Sequence, residues 1–332
     1  MSKPKGKKSS KALPPDVLVV GSYNQDMVWQ GTRFPQAGET RLGRFFSGPG
    51  GKGFNQAMAA ARLGARTGFI AAIGRDALGD GADQLAAAEQ IDARWQRCSE
   101  PTGTAAIWLD GSGQNMIIVA PGANALLSPA HVLAQRDAIE RSKVLLTQHE
   151  VHPVASLRAM EIARASGAIC IHNPAPSSEA PQLRALLEAA HIVSPNESEF
   201  CDLLNLVDVE IDEDALAAAD VAQLHDWCRR LPTATVVVTL GAAGVFVSQA
   251  APAEGQPAFF RVAAEKAHVV DTTGAGDAFN GGLAASLACA PERSLQQHVG
   301  FAVQVAGCAI ENSGAALAMP SLDQVQARFG GR

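Results

Sequence analysis

The sequence predicts an α/β fold: a doubly wound, mainly parallel sheet flanked by helices, with a small β-sheet lid standing off it. Short apolar, β-branched runs alternate with longer helical patterns over most of the 332 residues, which is typical of parallel strands joined by helical crossovers. Two separated stretches break this alternation with a texture typical of antiparallel strands. Polar residues recur directly after the strand-like runs, at the sheet edge where α/β proteins bind ligands.

The composition excludes several classes of protein. With 47% hydrophobic and 18% charged residues, the chain suits one large or two unequal globular domains. The net charge of −6 predicts no basic surface for nucleic acid outside the N-terminal residues. No apolar run approaches membrane-spanning length. The six cysteines form no CxxC pair, so structural zinc is not expected. We expect a cytoplasmic protein with reduced thiols and with no nucleic-acid or membrane partner.

The composition divides the chain into an N-terminal tail and a folded domain. Residues 1–15 predict a disordered basic tail, because five lysines fall among small and polar residues without the apolar core of a signal peptide. Residues 16–332 are expected to form the folded domain.

The strand and helix candidates follow one another along this domain. Asp16–Gly21 is a β-branched run closed by glycine and predicts the first buried strand. The later strand candidates are Gly68–Ile73, Val144–Gln148, Ala168–His172, Ile192–Ser194 and Thr235–Leu240. The helix candidates are Leu78–Glu89, Pro129–Arg141, Pro153–Ala165, Ser178–Ala190 and Asp214–Arg230.

The lid is predicted from two pieces, about 24–47 and 102–120. The first has short apolar bursts among Gly, Pro and Arg, without helical periodicity. The second contains TAAIWL over 104–109 and NMIIV over 115–119, joined by a Gly-containing turn. Such a flap could close over a substrate and exclude water. Its apolar face could pair with a second copy in a homodimer.

Several polar residues follow predicted strands. Asn24 and Asp26 come soon after the first strand and are candidates for binding hydroxyls, since an ionised Asp accepts hydrogen bonds and an Asn both donates and accepts. An Asx-type turn is the alternative. Glu150, Asn173 and the segment Asn196–Glu199 follow later strands. Each alone could cap a helix, but their recurrence at one sheet edge favours a site.

The first glycine-rich stretch spans 48–56 and reads GPGGKGFNQ. It matches GxGxxG, but no compact βαβ unit surrounds it, and the Walker A pattern fails because no Ser or Thr follows Lys52. What remains is a backbone that a ligand can approach closely, together with a cation and an amide. This combination fits a polyhydroxylated or phosphate-bearing small molecule.

A second glycine-rich stretch, 271–282, opens a helical pattern and reads DTTGAGDAFNGG. Its small residues place backbone N–H groups at a helix N-terminus, which attracts anions. A carboxylate at this position repels phosphate, so it is expected there only if it takes part in the reaction. Asp277 is therefore the candidate base that takes a proton from an attacking hydroxyl. The alternative is a first-turn charge that complements the helix dipole.

These motifs together resemble the ribokinase branch of the phosphofructokinase-B-type carbohydrate kinases, over about 16–320. The resemblance is carried by GSxNxD at 21–26, PxxGET at 35–40, GGKGxNQA at 50–57, NExE at 196–199, TLG at 239–241 and DTxGAGD at 271–277. PGAN at 121–124 and NPAP at 173–176 are similar to ribokinases in particular. The common order and spacing make an accidental likeness difficult to accept.

The resemblance implies an ATP-dependent kinase that phosphorylates a primary sugar hydroxyl, with D-ribose as the first expectation, Mg²⁺ as cofactor and K⁺ as activator. Asp277 is the implied catalytic base, and Gly274, Ala275 and Gly276 supply an anion hole. The implied sugar ligands are Asn24, Asp26, Gly51, Lys52, Gly53, Asn55, Glu150 and Asp277. The implied nucleotide contacts are Asn196, Thr239, Leu240, Gly241, Ala242, Ala243, Gly244 and Gly276. Asn196 and Glu199 would organise Mg²⁺, commonly through water, and a monovalent cation would lie among Asp271, Thr273, Ala309, Asn312, Gly314 and Ala318.

Some residues depart from the ribokinase pattern. Asn312 stands where Arg is frequent, Ala318 where Ser is frequent, and Val303 where a polar residue is sometimes found near adenine. The alternatives are a kinase for another sugar or a nucleoside, a relative that binds sugar or nucleotide without catalysis, and a dinucleotide-dependent oxidoreductase that rests only on GxGxxG.

Overall fold

The computed structural model describes residues 13–330, so most of the predicted basic tail lies outside the described residues. The strands, numbered along the chain, are β1 (Val17–Val20), β2 (Asn24–Gln30), β3 (Arg44–Gly50), β4 (Thr67–Gly74), β5 (Asp92–Cys98), β6 (Thr104–Leu109), β7 (Asn115–Ala120), β8 (Val144–Thr147), β9 (Ile169–His172), β10 (Ile192–Val193), β11 (Thr235–Thr239), β12 (Val245–Gln249) and β13 (Phe259–Val262). The helices are α1 (Lys52–Arg62), α2 (Ala77–Ala88), α3 (Pro129–Ala134), α4 (Arg136–Glu140), α5 (Pro153–Ala165), α6 (Leu183–Ala189), α7 (Glu197–Asn205), α8 (Glu213–Ala218), α9 (Val221–Arg230), α10 (Ala275–Cys289), α11 (Leu295–Ala309) and α12 (Leu322–Phe329).

The main sheet has nine strands in the order β13-β12-β11-β10-β9-β8-β1-β4-β5. Its pairings are parallel from β11 to β5, whereas β12 and β13 are added antiparallel. Central strands are apolar on both faces because helices cover both. In β1, Val17 and Val19 pack on one side and Leu18 and Val20 on the other. The predicted fold class is confirmed.

The small sheet has four strands in the order β3-β2-β6-β7. Strands β2 and β6 pair in parallel, and the outer pairs are antiparallel. Asn24 and Asp26 belong to β2 itself, and therefore do not lie in a loop after β1. This placement puts their side chains at the junction of the two sheets.

Three predicted helices differ from those observed. The predicted helix over 129–141 is divided at Gln135, which ends α3 and begins α4. The one over 214–230 is divided because the Asp220 side chain accepts hydrogen bonds from the N–H groups of Ala222 and Gln223 and starts a new helix. The one over 178–190 begins only at Leu183, since Pro181 disfavours the helical conformation at the residue before it.

Candidate active site

Asp277 lies in the first turn of α10, at the carboxyl edge of the main sheet. It is only 6% exposed, and both of its carboxylate oxygens accept hydrogen bonds from α1. Asn55 Nδ2 donates to Oδ2 at 2.8 Å, and Gln56 Nε2 donates to Oδ1 at 2.9 Å. Burial raises the pKa of Asp277, while Lys52 and these two amides oppose the rise. The carboxylate is therefore buried, oriented and held by donors.

The turn before Asp277 is shaped by glycine. Gly274, the N-cap of α10, has φ 78°, a left-handed conformation that favours glycine. A Cβ at Gly276 would meet no described atom within 4 Å, so the space in front of this backbone is open. The N–H of Ala275 donates to the Thr272 carbonyl at 3.2 Å and closes the turn. This hydrogen bond already engages one of the three donors that the sequence suggests for an anion hole.

The start of α1 approaches β1 and β2 very closely. Gly51 has φ 87°, and a Cβ there would lie 2.7 Å from the Asn24 nitrogen. A Cβ at Gly53 would lie 2.5 Å from the backbone nitrogen of Ser22. The backbone N–H of Lys52 donates to Glu150 Oε2 at 2.9 Å. The glycines thus bring the α1 N-terminus against the residues predicted to hold a sugar.

Lys52 lies within a ring of carboxylates. Burial favours its neutral amine, but Asp277, Glu150 and Glu199 outweigh burial and raise the pKa of Lys52. The side chain therefore stays cationic between the side chains predicted for sugar binding and those predicted for Mg²⁺.

Asp26 is a half-buried carboxylate in the same neighbourhood. Burial first, and then the charges of Glu150 and Asp277, raise the pKa of Asp26 to about 7. Its neighbour Asn24 accepts a hydrogen bond at Oδ1 from Asn124 Nδ2 at 2.9 Å. Asn55 Oδ1 is buried and has no hydrogen-bond partner in the described part of the chain. An acceptor left unpaired in this place suits a ligand hydroxyl.

Next to Asp277 opens a cavity of about 840 Å³. Its wall includes Lys52, Asn196, Glu199, Thr239, Gly241, Ala242, Gly244, Gly274, Ala275, Gly276 and Asp277. Leu240 and Ala243 lie in the same short turn but do not line this cavity. A Cβ at Gly244, which has φ 87°, would lie 2.1 Å from the Val262 carbonyl oxygen. The turn therefore needs glycine to lie against the following strands.

Asn196 and Glu199 form a capping box at the start of α7. Asn196 Oδ1 accepts from the Glu199 N–H, and Glu199 Oε2 accepts from the Asn196 N–H, both at 2.9 Å. Burial raises the pKa of Glu199. The charge of Lys52 opposes this rise, whereas that of Asp277 adds to it. A buried, fixed carboxylate that lines this cavity has the chemistry to hold Mg²⁺ through water.

The residues predicted for a monovalent cation lie in two loops joined by Asp271. Its Oδ1 accepts from the Thr273 N–H at 2.9 Å and its Oδ2 from the Gly314 N–H at 3.0 Å. Asn312 Nδ2 donates to the Cys308 carbonyl at 3.2 Å, and Ala309 and Ala318 are buried nearby in sequence. Because Asp271 joins the loops, it brings their backbones beside the turn that precedes Asp277.

Sequence reasoning missed two side chains of this site and a third that lies behind one of them. Gln56, Asn124 and Gln148 are buried and contact predicted site residues directly or through one another. Gln56 and Asn124 were within quoted motifs, but nothing local distinguishes a buried amide that orients a neighbour from a surface amide. Segment 264–267 also lines the cavity and carries no sequence signal.

Within residues 13–330, no helix is both long and apolar enough to cross a membrane. The same range has no group of three or more His, Cys, Asp or Glu side chains that could hold a metal ion. A divalent ion here would therefore depend on a few side chains, water and ligand oxygens.

The chain is similar to known carbohydrate kinases in sequence and in fold. Residues 14–322 match the model of the pfkB family carbohydrate kinases. Mouse ribokinase is 37% identical over 92% of this chain and 91% of its own length. Haemophilus influenzae ribokinase is 36% identical over 92% and 95%. Giardia lamblia ribokinase has a TM-score of 0.82 at 27% identity, covering 95% of this chain and 99% of its own.

The Arabidopsis thaliana ribokinase structure, complexed with ribose and ATP, has a TM-score of 0.79 at 27% identity and covers 95% of this chain and 98% of its own. The resemblance inferred from the motifs is confirmed, and the chain belongs to the pfkB family of carbohydrate kinases.

Proposed function

We propose that this kinase transfers the γ-phosphoryl group of ATP to the primary hydroxyl of D-ribose, giving ribose 5-phosphate. One observation carries the proposal. The buried Asp277 carboxylate lines the cavity and accepts a hydrogen bond from Asn55, a proposed hydroxyl-binding side chain whose Oδ1 has no partner among residues 13–330. The names of the mouse, bacterial and plant relatives support ribose as the sugar.

The reaction proceeds by one displacement. The sugar hydroxyl gives its proton to Asp277 while its oxygen forms a bond to the γ-phosphorus. The bond from that phosphorus to the β–γ bridging oxygen breaks, and its electron pair leaves with ADP. The open backbone at Gly276 and the cation of Lys52 stabilise the charge on the transferring group.

Two ions complete the proposed site. Mg²⁺ bound with ATP neutralises phosphate charge, and Asn196 and Glu199 would hold it through water. A K⁺ ion held by Asp271, Thr273, Ala309, Asn312, Gly314 and Ala318 would stabilise the turn at Gly274. The hydrogen bonds from Thr273 and Gly314 to Asp271 support this assignment, because they bring both loops together.

The proposed organisation is one kinase domain over 16–332 with a lid from about 24–47 and 102–120, acting in the cytoplasm as a homodimer joined through the lid. The outer face of the lid carries a row of large side chains in cross-strand register, namely Phe45, Trp29, Trp108 and Met116. All are more than 40% exposed, and a second copy would cover them. The six unpaired cysteines suit a reducing compartment.

A substrate screen tests the proposal. With Mg-ATP, D-ribose should show higher kcat/KM than 2-deoxyribose, fructose or adenosine. A hydroxyl that is missing, as in 2-deoxyribose, leaves a buried polar group unpaired at about 1–3 kcal/mol. ADP release is measured with K⁺, with Na⁺ and without either, and K⁺ should give the highest rate. A hexose or nucleoside that exceeds ribose would contradict the substrate, and equal rates in all three buffers would contradict the cation.

A further inference from the structure

A chain of buried side-chain amides links the end of β10 to Asp277, and its direction is set by a backbone carbonyl. Asn173 Nδ2 donates to the Ser194 carbonyl oxygen at 2.8 Å. A carbonyl oxygen only accepts hydrogen bonds, so the Asn173 amide cannot be reversed without loss of this bond. Asn173 Oδ1 is therefore the atom that faces α1.

The orientation of the Asn173 amide fixes that of the Gln56 amide on α1. Its Nε2 lies 3.1 Å from Asn173 Oδ1 and 2.9 Å from Asp277 Oδ1, so both of its N–H bonds have acceptors. Its Oε1 accepts a hydrogen bond from Gln148 Nε2. Gln56 is completely buried. A reversed Gln56 amide would bring its oxygen against two other oxygens, so its N–H groups must point at Asp277 and Asn173.

These orientations determine the hydrogen bonds of Asp277. One of its oxygens faces the amide donor of Asn55, and the other faces that of Gln56. Amide groups stay protonated and can only donate through nitrogen, so both bonds favour the carboxylate over the protonated acid. The charged groups around Asp277 are Lys52 from α1, Glu150 after β8, Asp26 from β2 and Glu199 from α7. Three of these four are acidic, so neutral donors have a substantial part in keeping Asp277 ionised.

We propose that Gln56 is a positioning residue for phosphoryl transfer, which holds the Asp277 carboxylate in its proton-accepting state through an amide chain anchored at Ser194. This inference rests on the proposed role of Asp277 as the base. Gln56 does not itself line the cavity, so it acts on the reaction through Asp277, to which it donates a hydrogen bond.

The test uses two substitutions of similar size and one matched control. Gln56→Met removes the donors but retains the volume of the side chain. Gln56→Glu keeps the shape but exchanges donors for a carboxylate. The control, Gln148→Met, removes a neighbouring buried amide and leaves both Gln56 N–H groups in place. It also removes Gln148 Oε1, a buried atom without a partner among residues 13–330.

We expect Gln56→Met to lower kcat for ribose about 10- to 100-fold at neutral pH and to leave KM for ATP within about twofold. The acid limb of the pH–kcat profile should move up by about one pH unit, since loss of a donor to a carboxylate raises its pKa. Raising the pH should therefore restore part of the activity. Gln56→Glu should move this limb further, because a second carboxylate faces Asp277, whereas Gln148→Met should leave the limb where it is.

Thermal melting of all three proteins separates positioning from folding. If Gln56→Met does not fold, Gln56→Glu, which preserves the shape, provides the pH profile. The inference is overturned if a folded Gln56 variant has the wild-type acid limb, or if Gln148→Met moves the limb by the same amount. A wild-type protein that phosphorylates no sugar would refute the proposed function instead, before any variant is compared.

Discussion

Two buried aspartates of this kinase have pKa values displaced in opposite directions, which shows how strongly single residues depend on their neighbours. Hydrogen bonds from Arg66 and Lys143 hold the pKa of Asp16 well below its usual range, despite burial. Asp277 has amides and Lys52 instead, and burial raises its pKa. The first aspartate is held by ion pairs, while the second is the proposed acceptor of the sugar proton.

The substitution Asp277→Asn tests the proposed base. An Asn cannot accept the hydroxyl proton, so kcat should fall on the order of 10²–10⁴-fold. Its Nδ2 would face one of the two amide donors, so one hydrogen bond is lost while a buried charge is removed, and we expect the free energy of unfolding to change by only about 1–2 kcal/mol. The measurements are kcat, ATP affinity and melting temperature. A folded variant with near-normal turnover would refute the catalytic role and leave Asp277 only a favourable interaction with the helix dipole.

Asp26 gives a prediction about pH and stability. Its pKa of about 7 in the folded protein lies above that of an unfolded aspartate. The folded state therefore binds the proton more tightly, and this contribution to stability is lost as the pH rises through 7. Asp26→Asn should be more stable than the wild type at pH 8, on the order of 2 kcal/mol, and the difference should shrink at acid pH.

The control for Asp26→Asn is Asp16→Asn, which should destabilise the protein at pH 8 because it breaks the ion pairs with Arg66 and Lys143. Denaturant unfolding at several pH values measures both. Asp26→Asn should also lose kcat/KM for ribose, since it removes a proposed sugar ligand. If the difference in the free energy of unfolding between Asp26→Asn and the wild type did not change with pH, this account would be refuted.

At the scale of elements, the site depends on how closely α1 and α10 approach each other. Gly281 on α10 allows the contact, because a Cβ there would lie 2.5 Å from the Ala59 Cβ and 2.6 Å from the Gln56 carbonyl oxygen. The donors Asn55 and Gln56 come from α1, and their acceptor Asp277 comes from α10. The separation of the two helices thus sets the length of the hydrogen bonds that orient Asp277, the proposed base.

Gly281→Ala should force the helices apart. We expect a loss of about 1–3 kcal/mol in the free energy of unfolding, the usual cost of an overpacked core, together with a fall in kcat. Gly300→Ala on α11 is the matched control, since its Cβ would meet no described atom within 4 Å. It should stabilise the helix by up to about 1 kcal/mol. Urea unfolding and kcat are measured for both, and equal stability of the two variants would contradict the close contact.

At the scale of the whole molecule, the lid presents apolar side chains on both faces. Phe46, Ile107 and Ile117 line a second cavity of about 660 Å³ between the lid and the segments 269–273 and 313–317. The opposite face carries Trp29 and Phe45, whose ring centroids are 5.1 Å apart. One face therefore belongs to the site within the chain, and the other is free for a second copy.

Trp108→Glu should convert the proposed dimer to a monomer, because it buries a charge at the centre of the outer face. Val221→Glu is the control, at an apolar position on α9 that is also 41% exposed. Sedimentation at micromolar concentration measures the mass, and circular dichroism checks the fold. A wild-type protein that sediments as a monomer, or a Trp108→Glu protein that remains a dimer, would refute the lid interface.

Much of this protein was predictable from local patterns. The apolar runs of β1, β4, β8, β9 and β11 predict the strands of a parallel sheet, because burial on both faces requires a nearly continuous apolar sequence. The glycine-rich stretches before α1 and α10 predict close backbone approaches, and Gly51 and Gly274 have the positive φ that glycine permits. Strand β5, DARWQRC, was missed because its charged residues hide the pattern.

The amino-acid sequence by itself therefore determined the fold class, the family and the residue types of the site, since each depends on periodicity or on motifs within a few neighbouring residues. Only the tertiary structure decided that Asp277 is buried, that the Asn24 and Asn124 side chains meet, and that Gln56 joins Asn173 to Asp277. The two contacts of Gln56 span 117 and 221 residues of sequence. Hydrogen-bond direction and burial depend on which distant segments meet, and no local pattern carries that information.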